Sequence, residues 1–356
     1  MLWQQQARSW AIRLERHCRA EPCSRRRYTT TASPSAATAQ KPSPPPYDIL
    51  FCGSDDFSCA SLNAIHRRKD LWKSLTVLHP PATEQKWGAK RMSVAPVQTL
   101  AQELGLDHIE VPRSGLDDWK LRGAAPLQWA IARRLTETGI TVQSLSRGAF
   151  DHGRILAQIP YKIGKGRTYE SLMRAVAPEG AKLLTNTLAQ LPEHVAQARD
   201  QTGEPTYAPK LKRDFMRIRW DRWTAADIEA RHRGMGYLYP VHSDLFTHSN
   251  PAAKQICTHF VNVSIFTKNN SPLAEKTKAF LADRDILPGC ARYAREAGGL
   301  LIRCAGSSVL LARTLQVQSK KRQTAREWII GYTDRGDANK ILRFGNHSEQ
   351  TIKIGN

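Results

Sequence analysis

From Tyr47 onward the apolar positions fall into alternating short runs and helical stripes. Tyr47 to Phe51 (YDILF) is a short apolar run that stops at Gly53, which predicts a buried strand. Asp56 to Asp70 predicts a helix with Phe57, Ala60 and Ala64 on one face. Leu75 to Leu78 predicts a second strand. Pro96 then opens a helix carrying Val97, Leu100, Ala101 and Leu104, closed by Gly105. His108 to Val111 predicts a third strand. This β-α-β-α-β order predicts a parallel, doubly wound sheet.

After Val111 the rhythm breaks. Residues 112–120 are short and polar. A helix is expected from about Gly123 to Thr138, with Leu127, Ile131 and Leu135 in register. Ile140 to Leu145 and Arg154 to Gln158 predict strands, and Tyr169 to Leu191 a long helix. Residues 192–223 look like a linker. Thr224 with Asp227 predicts a capping box that opens a helix to about Arg233. The remainder is β-like: Phe260 to Phe266, Cys290 to Ala294, Leu300 to Cys304 after the turn signal Gly298-Gly299, and Val309 to Val317. Several short strands separated by turns predict a small barrel or sandwich.

Composition narrows the class. The chain has 356 residues, 41% of them hydrophobic, enough to bury two cores. It contains no apolar run of about 18 residues, so no transmembrane helix and no membrane insertion are expected. Seven Cys suit no disulfide framework at this length and fit a reducing compartment. The net charge of +21 is unevenly spread. Residues 1–45 hold 8 basic and 2 acidic side chains, and residues 206–356 hold 25 and 13, so the middle is nearly neutral. A basic C-terminal module points to a polyanionic partner such as nucleic acid.

Residues 1–45 read as an address. Trp3, Ala7, Trp10 and Leu14 share one helical face, and Arg8, Arg16 and Arg19 lie opposite. Acidic residues are scarce, Arg25 to Arg27 precede a Ser/Thr/Ala/Pro stretch, and the apolar h-region of a secretory signal is absent. This is the pattern of a mitochondrial transit peptide followed by a linker, with processing expected near Arg27 to Thr31 and a matrix location.

Three clusters carry possible chemistry. The first is a basic, irregular stretch holding Lys86, Trp87, Lys90 and Arg91, which suits phosphates and an unpaired base. The second is Arg122-Gly123-Ala124-Ala125-Pro126, followed by Gly139-Ile140-Thr141-Val142 and then Phe150-Asp151-His152-Gly153. Gly123 allows close backbone approach, and Asp151 sits at a turn where a carboxylate can project into a cleft, although turn-forming Asp and Gly explain the spacing equally well. The third is Ser319-Lys320-Lys321-Arg322 ahead of Glu327-Trp328-Ile329-Ile330-Gly331. Cys52 and Cys59 have no second pair, so no metal is expected.

Taken in order, Phe51-Cys52-Gly53-Ser54-Asp55-Asp56-Phe57, Met92-Ser93-Val94-Ala95-Pro96-Val97, RGAAP, GITV, FDHG, Thr206-Tyr207-Ala208-Pro209-Lys210 with Ile218-Arg219-Trp220, and the C-terminal cluster resemble the methionyl-tRNA formyltransferases. The resemblance spans residue 47 to about residue 333. It implies an α/β fold, with a Rossmann-like formyltransferase domain over 46–191, a linker over 192–223 and a C-terminal OB-like β-barrel domain over 224–356. It implies transfer of a formyl group from 10-formyltetrahydrofolate, the co-substrate, to the amine of initiator methionyl-tRNA, by a monomer. Asp151 matches the family's catalytic Asp, Arg122 and Gly123 the substrate and folate side, and Lys86, Trp87, Lys90, Arg91, Lys320, Lys321 and Arg322 the tRNA side.

The departure matters as much as the match. The family's Asn-x-His strand and its Ser-Leu-Leu-Pro turn belong just before Arg122, where this chain reads Gly115-Leu116-Asp117-Asp118-Trp119-Lys120-Leu121. About one strand–helix–strand unit, on the order of 30 residues, is missing. His108 and His152 lack the context to replace that His. A lost block with intact flanks points to a missed exon or splice variant, and the chain as written is expected to be impaired in catalysis. The alternative is a non-catalytic tRNA-binding protein derived from a formyltransferase.

Overall fold

The computed structural model describes residues 42–84, 92–111, 125–146, 152–202, 208–246, 256–267, 273–332 and 341–345. They form two compact units: one from residues up to 126, 137–162 and 173–209, the other from residues 127–136, 163–172 and 210 onward.

The first unit opens with β1 (Tyr47–Cys52), α1 (Asp56–Arg67) and β2 (Trp72–His79). The Asp55 side chain caps α1 by accepting from the Ser58 amide at 2.9 Å and the Ser58 hydroxyl at 2.7 Å. Phe57, Ser58, Ser61, Leu62 and Ile65 form its buried stripe. A small antiparallel pair, β3 (Thr83–Glu84) and β4 (Met92–Ser93), precedes α2 (Pro96–Glu103) and β5 (His108–Glu110). Pro96 sits in the first turn of α2, and Gly105 at φ +64° ends it. β1, β2 and β5 pair in parallel in that spatial order, with Ile49 opposite Leu75 and Val77 opposite His108. Tyr47, Ile49, Phe51, Leu62, Ile65, Leu75, Val77, Val97 and Ala101 close the core.

Next come α3 (Pro126–Ala132), β6 (Glu137–Gln143), β7 (Ile155–Lys162), α4 (Tyr169–Ala189) and α5 (Leu191–Ala196). The helix expected from Gly123 to Thr138 lies partly outside the described residues, and its described part ends at Ala132. Arg134 takes a left-handed φ of +59°, its amide bonds back to the Ile131 carbonyl, and the Leu135 amide to Ala130, which turns the chain into β6. β6 and β7 form their own antiparallel pair, with Ile140 opposite Ile159. In a doubly wound sheet the fourth strand returns to the free side of the first. Among the described residues β1 has a strand on one side alone, and β6 pairs only with β7.

The second unit contains α6 (Ala225–Met235), β8 (Val241–Phe246), β9 (Ile256–Ile265), α7 (Glu275–Ala282), β10 (Cys290–Ala294), β11 (Gly299–Arg303), β12 (Val309–Val317), β13 (Arg322–Thr324), α8 (Ala325–Tyr332) and β14 (Leu342–Gly345). The order β11-β10-β14-β8-β9-β12 closes through a β11–β12 pairing into a six-stranded antiparallel barrel, with β13 added outside β12. The expected capping box is present, Thr224 and Asp227 bonding each other's backbones. Inside the barrel Trp220 meets Phe260 edge-on at 5.8 Å, Phe260 meets Phe344 at 5.2 Å, and Trp328 stacks on Phe344 at 6.0 Å. The Trp220 indole N–H donates to Ser243 Oγ at 2.9 Å, so its one polar atom is satisfied.

Candidate functional site: a hairpin mouth and a basic barrel face

At the C-terminal ends of the parallel strands, β1 runs into Gly53. A side chain there would press on Ser58 Cβ at 2.8 Å and Phe51 Cε1 at 2.9 Å, so only Gly fits between the strand and α1. His79 ends β2, buried at 1% exposure. Its Nδ1 lies 3.0 Å from the Pro80 carbonyl, which can only accept, so Nδ1 carries the hydrogen. Its Nε2 then accepts from His108 Nδ1 at 3.1 Å. The two imidazoles are thus tied to each other and to backbone. His152 is exposed beside Gly153.

Asp151, Arg122 and Gly123 lie outside the described residues, as do Lys86, Trp87, Lys90 and Arg91. The chain on both sides of 147–151 is described, and it is held tightly. The Ser144 amide donates to the Arg154 carbonyl at 3.0 Å, and the Arg154 amide to Ser144 Oγ at 3.0 Å. Gly153 packs so closely that a Cβ would overlap the Ser144 carbonyl. Gln201 Nε2 donates at 2.8 Å to both Gln143 Oε1 and the Gly153 carbonyl. Ile155 and Arg199 exchange both backbone bonds, at 2.8 and 3.1 Å, and the Arg154 guanidinium reaches the Ala198 carbonyl and Asp200. Residues 198–201 therefore run beside β7 as a latch on the hairpin mouth. Residues 143 and 201 are 58 apart in sequence, so the latch leaves no local signal.

The barrel carries a basic face. Lys320, Lys321 and Arg322 are exposed where β12 turns into β13, a turn that holds Ser319 at φ +67°. Arg213 reaches Cys257 Sγ at 3.6 Å, His259 Nε2 at 3.2 Å and Gln318 Oε1 at 3.3 Å. Burial, then the Arg213 charge, holds the His259 imidazole below its ordinary value, consistent with a neutral ring that accepts from the guanidinium. Arg217 pairs with the largely buried Asp244 at 2.7 Å. Among the described residues no three His, Cys, Asp or Glu gather to hold a metal ion, and no helix is long and apolar enough to cross a membrane.

Comparison with known proteins covers both units. Residues 92–188 match the formyl transferase model, and residues 210–333 match the formyl transferase C-terminal domain. The chain is 26% identical to the mitochondrial methionyl-tRNA formyltransferase of Mus musculus over 322 aligned positions, covering 81% of this chain and 79% of that protein. The Homo sapiens protein of the same name is 25% identical over 322 positions, with 81% and 78% covered. The methionyl-tRNA formyltransferase of Pelotomaculum thermopropionicum is 41% identical over 116 residues, 33% of this chain and 36% of that one. With a parallel sheet in its first half and a closed antiparallel barrel in its second, the chain belongs to the formyl transferase family.

Proposed function

We propose that this chain is a mitochondrial methionyl-tRNA formyltransferase, taking its formyl group from 10-formyltetrahydrofolate, and that the sequence as written is impaired in turnover. The likeness to the two mammalian mitochondrial enzymes over both units carries the first half of this reading. The basic leader at residues 1–45 supports a matrix location.

The chemistry is acyl transfer. The attacking amine must lose a proton, and the formyl oxygen gains negative charge as its carbon becomes tetrahedral, so the site needs hydrogen-bond donors for that oxygen and a base. Asp151 is the carboxylate we assign to proton uptake, on the hairpin that the Gln201 latch holds. Among the described residues the β1–Gly53–α1 turn lies at the C-terminal end of the parallel strands, with no Asn-x-His strand paired beside it. The fit to the co-substrate is therefore incomplete. A ligand crevice in such folds opens at the switch between the first and fourth strands, which is the place left without a strand here.

The test is a formyl-transfer assay on two chains: this one, and one with the corresponding unit of the mouse relative inserted between Val111 and Arg122. We expect no measurable turnover from the first and restored turnover from the second. Full turnover by the first would overturn the impairment. An inserted chain that neither turns over nor binds methionyl-tRNA would overturn the whole reading.

A further inference from the structure

The second unit holds a cavity that the formyl-transfer reading leaves unused. Its volume is about 180 Å³, and Ser264 and Phe266 of β9, Leu311 and Arg313 of β12, Glu296 in the β10–β11 turn, and Leu273 ahead of α7 line it. Phe266 and Leu311 belong to the apolar cluster that Phe280 of α7 closes. Arg313 is the extra residue of a β-bulge. Ala312 pairs with Val263 and Thr314 with Asn262, so Arg313 has no opposite number in the ladder. A bulge of this kind re-aims a side chain. The Arg313 guanidinium donates through Nη1 to Ser264 Oγ at 2.9 Å, and among the described residues it forms no ion pair. One bond leaves most of its planar fork of N–H donors without a protein acceptor, and that fork takes a carboxylate two bonds at a time.

Glu296 supplies the opposite charge. It accepts from the Ala274 amide at 3.1 Å and from the Thr277 hydroxyl. Burial pushes its carboxyl up, yet the Thr277 bond, its own amide, the Ala274 amide and the Arg292 charge together hold it below its ordinary value, so it stays ionised. A carboxylate has about four lone-pair sites, and these three bonds leave room for one more donor. Arg313 and Glu296 line one small cavity and, among the described residues, form no ion pair with each other. A ligand with a negative end and a positive end completes both. Phe266, Leu273 and Leu311 offer an apolar surface beside them. A cavity of about 150 Å³ holds one benzene, so this one suits a molecule slightly larger.

We propose that this cavity binds a free α-amino acid with a short apolar side chain, such as L-valine, with its carboxylate on Arg313 and Ser264 and its ammonium on Glu296. None of these residues belongs to the Asp151 hairpin, the Lys86–Arg91 loop or the Lys320–Arg322 turn, so the site stands or falls apart from formyl transfer.

The test titrates the full chain with three ligands by calorimetry and ligand-observed NMR. L-Valine carries both charges, L-valinamide lacks the carboxylate, and isovalerate lacks the ammonium. L-Valine should bind saturably with a Kd on the order of 1 mM, as suits so small a ligand, and the other two about tenfold more weakly or worse. L-Tryptophan, too large for the cavity, should not compete. Arg313 is exposed, so Arg313→Gln should melt close to wild type. It should weaken L-valine about tenfold and leave L-valinamide unchanged, because only the carboxylate contact is lost. No saturable binding of L-valine up to about 20 mM overturns the proposal, as does a match between L-valine and either truncated ligand. L-Valine binding that survives Arg313→Gln at wild-type strength lies elsewhere on the chain and overturns it too.

Discussion

Gly153→Ala probes the latch that fixes the Asp151 hairpin. The added methyl overlaps the Ser144 carbonyl, which is backbone and can yield only if the two strands part at the mouth. Parting them removes the Ser144–Arg154 bond, the Arg154–Ser144 Oγ bond and the Gln201 bond to the Gly153 carbonyl. At about 1 kcal/mol net per bond, the local cost is about 3 kcal/mol. A Gly→Ala change without strain would instead stabilise by about 0.4–1 kcal/mol through the unfolded chain, so the two accounts differ in sign. Gly164 is the control: its φ is not positive, and a Cβ there meets nothing nearer than Arg167 Nε at 3.7 Å. Hydrogen exchange should report amides at 144, 154 and 155 opening roughly 100-fold more readily in Gly153→Ala, and no faster in Gly164→Ala. Wild-type protection in Gly153→Ala would refute the latch. In the chain carrying the inserted unit, the same substitution should lower kcat on the proposal that Asp151, two residues away in sequence, takes up the proton.

Trp220→Phe removes a buried indole N–H bonded to Ser243 and leaves a void beside Phe260 and Phe344, so calorimetry should show the barrel losing about 2–3 kcal/mol; a loss under about 0.5 kcal/mol would contradict that packing. His242 is buried, and burial, with Arg213, Arg217 and His259 nearby, holds its imidazole below the ordinary value against the opposing pull of the Pro240 carbonyl. Its proton is therefore bound more readily in the unfolded chain. His242's share of the stability should be constant above pH about 6.5 and be lost below it with a slope of at most about 1.4 kcal/mol per pH unit, and His242→Gln should reduce the chain's slope in urea titrations by up to that amount; an unchanged slope in the variant would count against it. Burial pushes the Cys304 thiol up to about 12, and burial with Asp56, Asp55 and Glu103 pushes Cys59 up to about 11, so both should resist a thiol reagent at pH 8 until denaturant is added.

The first half of the sheet was readable because its periods are clean. Pro96 and Gly105 mark both ends of α2 and β1 alternates onto one buried face, whereas the buried stripe of α1 is Phe57, Ser58, Ser61, Leu62 and Ile65, with the expected Ala60 and Ala64 only half-buried beside it. β8 was not readable. Its His242-Ser243-Asp244 core is polar, and those side chains are buried only because Trp220, the Gly345 carbonyl and Arg217 arrive from distant parts of the chain to satisfy them. The overrun of α3 has the same origin: Leu135 continues the helical register, but the left-handed turn at Arg134 sends it back toward Ala130. The family was legible as motifs in order, while Asp151, Arg122 and Gly123, the site residues those motifs name, lie outside the described residues. The Gln143–Gln201–Gly153 latch was not legible, because it joins residues whose pairing has no sequence period.

The residues of the interrupted sheet still encode a neighbour. Strands buried on both faces belong in the interior of a parallel sheet, and interior strands have partners on both sides. In β1 the face of Tyr47, Ile49 and Phe51 is buried while Asp48 on the other is exposed, and in β6 four consecutive residues, Thr138 to Thr141, are buried on both faces. Among the described residues β1 meets only β2 and β6 meets only β7. A chain that had drifted away from this architecture would have placed charges or Pro on strands that had become edges, as edge strands ordinarily do. β1 has Asp48 as its single charge, bonded to Ser74 of the strand beside it, and β6 has Glu137 at its first residue alone. The two strands are therefore dressed for a sheet at least one strand wider. The second unit shows no such mismatch, since its barrel closes on itself.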